Sequence, residues 1–180
     1  MKKAFIGICA GFLLSHTSFA LELTSSDIAH GEFMSNAQEF TGFGCKGGNL
    51  SPALSWTGAP KGTKAFALLV HDPDAPTGSG WWHWQVVNIP KDATQLPTGA
   101  GVEGNAKLPK GSIQIENDYG VAAFGGACPP VGDGAHRYQF TLYALSTTLD
   151  LPANASGALT GYMVKANAIE STTIEALYKR

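Results

Sequence analysis

Ala65 to His71 reads AFALLVH, apolar at odd and even positions alike, and this run constrains the fold more than any other stretch. Successive side chains of a strand point to opposite faces. A strand with one wet face alternates in polarity, so this one has to be covered on both sides. It reads as the central strand of a layered β structure, closed by the stiff exit Asp72-Pro73-Asp74-Ala75-Pro76. Trp82 to Ile89 and Ser112 to Glu116 read as further strands. Arg137 to Ser146 alternates, with Tyr138, Phe140, Leu142 and Ala144 on one face. A helix is expected from a Ser156 cap, with Leu159, Met163, Ala166 and Ile169 at helical spacing, and a last strand over Thr172 to Tyr178. The chain's 22 glycines and 10 prolines punctuate these short runs. The fold class is therefore mainly β, a sandwich or packed sheets with a short helix near the C-terminus.

Residues 1–20 read as a signal peptide. Lys2 and Lys3 are followed by an apolar run from Ala4 to Leu14, and Ser18-Phe19-Ala20 forms a small-x-small cleavage pattern after Ala20. The run is too short to span a bilayer. Residues 21–180 then form a single domain, large enough for a real core. Loss of Lys2 and Lys3 leaves 10 basic against 14 acidic residues, with no basic patch for nucleic acid and no second membrane-length segment. The product is expected in the periplasm or outside the cell. Cys9 departs with the leader, and Cys45 and Cys128 remain as an even pair in an oxidising compartment. A bridge between them would tie the loop Gly42–Gly48 to the segment entering Pro129-Pro130. Two buried thiols are the bland alternative.

Several short motifs carry little weight. Gly42 to Gly47 and Gly99 to Gly104 both match G-x-G-x-x-G, yet each runs into helix-hostile sequence, where a dinucleotide fingerprint needs a helix. Asp72-x-Asp74 opens like a calcium loop, but Pro76 takes the next ligand position.

Two dense clusters remain: Asp72 to Pro76 with Trp81-Trp82-His83-Trp84, and Cys128-Pro129-Pro130 leading to His136-Arg137-Tyr138. On strands, His136 sits beside Tyr138, while Trp81, His83 and Gln85 share a face opposite Trp82 and Trp84. Imidazoles and a phenol cradle a phosphate or carboxylate, since each offers a donor and histidine can add charge. Taken singly, either histidine reads as an ordinary buried one. Together with two aspartates, a tyrosine and Pro-Pro, they read as a site.

The wording of these clusters resembles a known family. Asp-Pro-Asp-Ala-Pro, Trp-x-His-Trp, Val-Val-Asn, Pro-Pro-x-Gly and Gly-x-His-Arg-Tyr, in that order, are similar to the phosphatidylethanolamine-binding proteins, also called Raf kinase inhibitor proteins. Gly47 to Pro52 and Pro76 to Trp84 resemble its bacterial YbhB/YbcL-like branch. The resemblance covers residues 21–180 and implies a β-sandwich of antiparallel sheets with an anion cavity near the surface. It places Asp72, Asp74, His83, Pro130, His136 and Tyr138 in that cavity and gives Arg137 a structural part. No cofactor and no metal are expected, although on an enzyme reading Asp72, His83 and His136 could hold a metal. Animal members carry a longer C-terminal segment at the cavity mouth, and no such lid is assumed here. The expected ligand is a small anion or a phosphorylated head group, with a protein target as a further partner. Protonation of His83 or His136 should raise anion affinity as pH falls through roughly 6.5. The alternative is a hydrolase that uses an Asp–His pair as general base.

Overall fold

A computed structural model describes residues 20–152 and 154–180. The expected leader, apart from Ala20, lies outside the described residues. In chain order the strands are β1 (Glu22–Thr24), β2 (Thr41–Gly42), β3 (Cys45–Lys46), β4 (Leu54–Thr57), β5 (Ala65–Asp72), β6 (Trp81–Pro90), β7 (Gln95–Leu96), β8 (Ile113–Ile115) and β9 (His136–Leu145). Helix α1 (Gly157–Asn167) and strand β10 (Ala168–Tyr178) complete the chain. Among the described residues no helix is long and apolar enough to cross a membrane.

Strand β5 is central, as its unbroken apolar run demands. It pairs antiparallel with β9 on one side and β6 on the other, in a five-stranded sheet ordered β10-β9-β5-β6-β8. Phe66, Leu68 and Val70 point to one face, where they meet Leu54 and Trp56 of a three-stranded sheet, β1-β4-β7. Ala67 and Leu69 point to the other, where Val164 of α1 and Leu149 from the segment before that helix cover them. The result is an antiparallel sandwich with a helix on its outer face. Tyr138, Phe140, Leu142 and Ala144 line one core, as their alternation predicts.

Helix α1 starts where expected: Ser156 Oγ accepts the Leu159 N–H at 3.1 Å. Its buried face is different. Gly157, Thr160, Gly161 and Val164 turn inward, while Leu159 is exposed and Ile169 already belongs to β10. Small residues win because the helix sits on the Trp82 ring. A Cβ at Gly157 would lie 2.2 Å from that ring, so only glycine allows this approach.

The expected sharing of faces along β6 holds for Trp81 and His83, which both line one cavity, and fails for Gln85 and for the Trp82–Trp84 pair. Val70 lies opposite Trp84 but His71 lies opposite Trp82, so β6 carries an extra residue, His83, at a β-bulge. Trp82 therefore turns to the helix side, its ring 4.2 Å from that of His71. Trp84 turns into the sandwich core against Phe124 and donates its indole N–H to Gln114 Oε1. Gln85 falls opposite Leu69, on the helix side, away from His83.

Candidate functional site

The strand ends at one edge of the sandwich enclose a cavity of about 190 Å³. Asp72 closes β5, Trp81 and His83 open β6, and His136 and Tyr138 open β9; all five line the cavity. The bulge matters here, since it lets His83 and Trp84 face the same core while Trp81 stays over the cavity. The segment between β8 and β9 adds Tyr119, Cys128 and Pro130, and the β2–β3 hairpin adds Phe43 at the mouth. Cys45 and Cys128 are joined, with Cα atoms 6.0 Å apart, so the expected bridge ties that hairpin to the Pro129-Pro130 wall.

Of the six site residues expected from sequence, five meet: Asp72, His83, Pro130, His136 and Tyr138. Asp74 does not line the cavity. Arg137 takes both of its carboxylate oxygens, Nε to Oδ2 at 2.9 Å and Nη2 to Oδ1 at 2.7 Å, and the Arg137 backbone N–H adds a third bond. The side-chain bond from Arg137 is the chief reason that the Asp74 carboxyl is held down at about 2. Asp74 thus fixes the start of β9, and Arg137 has the structural part that was expected.

Asp72, only two residues away, is buried and inward-facing. Its Oδ1 accepts the N–H groups of Asp74 and Ala75 at 2.8 and 3.1 Å, an Asx-type turn that Pro73 and Pro76 stiffen. Its Oδ2 lies 2.8 Å from His136 Nδ1. A carboxylate only accepts, so Nδ1 carries the hydrogen. His136 Nε2 is left 3.5 Å from Asp133 Oδ2, a half-exposed neighbour at the rim.

His83 is oriented by backbone. Its Nδ1 lies 2.8 Å from the Gly125 carbonyl and 3.1 Å from that of Gly126. Carbonyls only accept, so Nδ1 again carries the hydrogen and Nε2 is left as a lone pair. That Nε2 is buried without a partner. Burial is the main cause that pushes the imidazole from 6.5 down to about 4, against the opposing pull of the two carbonyls and of Asp72. The expectation that His83 gains charge near pH 6.5 is therefore corrected: it stays neutral there. The close passage of Gly125 needs glycine, as a Cβ there would lie 2.3 Å from the Tyr119 ring.

Tyr138 and Trp81 complete the interior. The Tyr138 ring meets His83 edge to face at 5.1 Å and its hydroxyl is buried without a partner. Burial first, then the Asp72 charge, pushes that phenol well above its ordinary value, so it remains a hydrogen-bond donor. The Trp81 indole N–H is likewise buried and unpartnered. Tyr119, whose hydroxyl donates to the Gly126 carbonyl, packs against Trp81 and His83. No Lys or Arg is among the described residues that line the cavity. Among the described residues no three His, Cys, Asp or Glu side chains gather in a way that could hold a metal ion.

Phe43, Trp81 and Tyr119 escaped the sequence reading as site residues. Trp81 had a signal, since it shares a face with His83 and adjoins the Asp-Pro-Asp-Ala-Pro turn. Phe43 and Tyr119 arrive from loops, and no local pattern announces them.

A two-sheet antiparallel sandwich with a His–Asp-lined cavity at its strand ends defines a class of small β domains, and the comparisons agree on which one. The family model described as phosphatidylethanolamine-binding protein matches residues 24–179, and the chain belongs to that family. It is 50% identical to YbcL of Escherichia coli over 181 residues, 99% of each chain. It is 43% identical to YbhB of the same organism over 159 residues, 88% of this chain and 99% of the relative. The crystal structure of Escherichia coli YbcL superposes with a TM-score of 0.88 at 53% identity, covering 90% of this chain and 99% of that one. A Mycobacterium tuberculosis relative, 40% identical over 115 residues, or 64% of this chain and 53% of the relative, is named a lipoprotein.

Proposed function

We propose that the protein is exported and binds a small oxyanion of the phosphate type in this cavity, free or as part of a phosphorylated head group or partner. It acts by binding, without chemistry. The observation that carries this reading is that three residues lining one cavity each hold a buried polar atom without a partner: Trp81 Nε1, His83 Nε2 and Tyr138 OH. Native proteins rarely leave such atoms unsatisfied, and each costs about 1–3 kcal/mol until a ligand or water meets it. Tyr138 and Trp81 supply donors, and His136 presents Nε2 beside them. Export is supported by the disulfide and by the lipoprotein name of one relative.

A hydrolytic reading gains less support. The Asp72–His136 pair has the geometry of an oriented base, but among the described residues that line the cavity no side chain is set up as its nucleophile. Cys128 is bridged, Thr77 donates its hydroxyl to the Gly80 carbonyl, and both cavity tyrosines are pushed away from ionisation.

Calorimetry with inorganic phosphate and with phosphoethanolamine at pH 7 tests the reading, with His136→Ala as control. Saturable binding to the native protein, weakened at least tenfold in the variant, is expected. Undetectable heat with both ligands on the native protein overturns it.

A further inference from the structure

We propose that removal of the leader creates a further ion-binding contact in the fold: the ammonium group freed at Leu21 is received by the Glu170 carboxylate, which ties the new chain end to the opposite sheet. The inference rests on the export reading above and goes beyond it, because it gives the cut at Ala20 a structural consequence. The place shares no lining residue with the strand-end cavity.

The residues that follow the expected cut are built into the core at once. Leu21 and Leu23 are buried in the cluster that holds Ile174 and Ala176 of β10. Glu22 between them is exposed, and β1 pairs with β4 from Glu22 opposite Thr57 onward. Chain ends fray unless they are tied down, and this one is held from Leu21. Ala20, one step earlier, is exposed.

Glu170 comes from β10, the edge strand of the five-stranded sheet, whereas β1 belongs to the three-stranded one. A bulge between Ala168 and Glu170 sets Glu170 on the same face as Thr172, Ile174 and Ala176, the face that turns to the sandwich core. Its Oε1 accepts the Leu21 N–H at 2.9 Å. Among the described residues no Lys, Arg or His pairs with Glu170. The charged groups around the Leu21 nitrogen are Glu170 from β10 and Glu22 from β1, while β4 and its exit bring Thr57 and Gly58. No cation lines that cleft.

Hydrolysis by a signal peptidase breaks the bond between the Ala20 carbonyl carbon and the Leu21 nitrogen. Water gives its hydroxyl to that carbon and a hydrogen to the nitrogen. The new acid ionises, and the new amine takes up a proton, since α-amino groups titrate at about 7.7–8.0. The atom that gains the charge is the one already on Glu170. An amide offers the carboxylate one hydrogen and no charge; an ammonium offers three and a full positive charge. A start one residue earlier would move that charge roughly 3.3 Å along the chain, onto Ala20.

The test uses the full chain, exported with its leader from a bacterial cell, and a second full chain with one alanine inserted after Ala20. Mass spectrometry should read a start at Leu21 in the first product and at the inserted alanine in the second. A cut after the insertion would place Phe19 where a small residue is needed. In urea unfolding at pH 7, Glu170→Gln should lower the folding equilibrium constant about three- to tenfold in the first product. In the second the loss should stay under about twofold, because Leu21 there offers only its amide. A further measurement needs the first product alone. The α-amino group titrates at about 7.7–8.0 in the unfolded chain and higher in the fold, where Glu170 holds its proton. The contribution of the pair is then complete below the unfolded value and is lost as pH rises through the folded one. The stability gap between the native protein and Glu170→Gln should close between about pH 8 and 10, other groups titrating alike in both. Equal losses in the two products, or a gap that stays constant to pH 10, overturn the inference and leave the export reading intact. A cut that leaves another residue first in the native product overturns it too. If the leader is retained whole, the export reading falls, and this inference with it.

Discussion

Asp72 and Asp74 are two residues apart in the chain and have opposite fates. Asp72 turns inward to orient His136, while Asp74 is consumed by Arg137 at the surface. Sequence placed both in one cluster, because spacing on a turn after a strand does not say which carboxylate faces in. Period-two alternation did say so for His136 and Tyr138, which lie on a regular strand. Tyr138 yields a prediction in which stability and binding move in opposite directions. Its hydroxyl is buried without a partner, so Tyr138→Phe removes a desolvated polar group and keeps the ring against His83. The variant should be more stable by roughly 1 kcal/mol and should bind inorganic phosphate about tenfold more weakly. Thermal unfolding and calorimetry on the same preparation check both halves. A lower melting temperature with unchanged affinity would show that the hydroxyl serves the core instead of a ligand.

At the level of elements, strand identities were legible and their irregularities were not. The apolar run of β5 and the alternation of β9 reflect burial on faces, which leaves a direct trace in residue type. A bulge leaves none: Trp81-Trp82-His83-Trp84 reads equally well as a regular strand, and only the pairing with β5 shows the extra residue at His83. Helix α1 failed for a related reason. Its large apolar residues suggested an inward face, but the Trp82 ring beneath it leaves room only for small ones. Gly157→Ala puts this to the test. Alanine favours helices over glycine by up to about 1 kcal/mol, yet its Cβ would lie 2.2 Å from Trp82, and overpacking of a fixed ring costs roughly 1–3 kcal/mol. Net destabilisation in urea is expected. A variant as stable as the native protein would mean that the helix lifts off Trp82 freely.

On the scale of the whole molecule, burial of a neutral histidine ties the cavity to global stability. His83 has an ordinary value of 6.5 and titrates at about 4 in the fold, chiefly because it is desolvated. Between those two values the unfolded chain binds a proton at His83 that the folded chain refuses. The unfolded state then holds more protons, so stability declines as pH falls from 6.5 to about 4. Above 6.5 neither state is protonated there and the effect vanishes. The full window is worth roughly 3 kcal/mol, at about 1.4 kcal/mol per pH unit. Asp74 works in a separate, more acidic window: its depressed value of about 2 against 3.8 contributes stability that is present above 3.8 and lost as pH falls toward 2. The two are separable by mutation. His83→Gln should flatten the decline between pH 6.5 and 4 and leave the loss below pH 3.8 in place, because glutamine does not titrate and the Asp74–Arg137 pair is untouched. Urea unfolding of both proteins across pH 7 to 3, in phosphate-free buffer so that no ligand props up the native state, gives the comparison. Parallel curves down to pH 4 would mean that His83 takes up its proton in the folded protein as readily as in the unfolded chain. The cavity would then hold an imidazolium at His83, a donor and a positive charge in place of a lone pair.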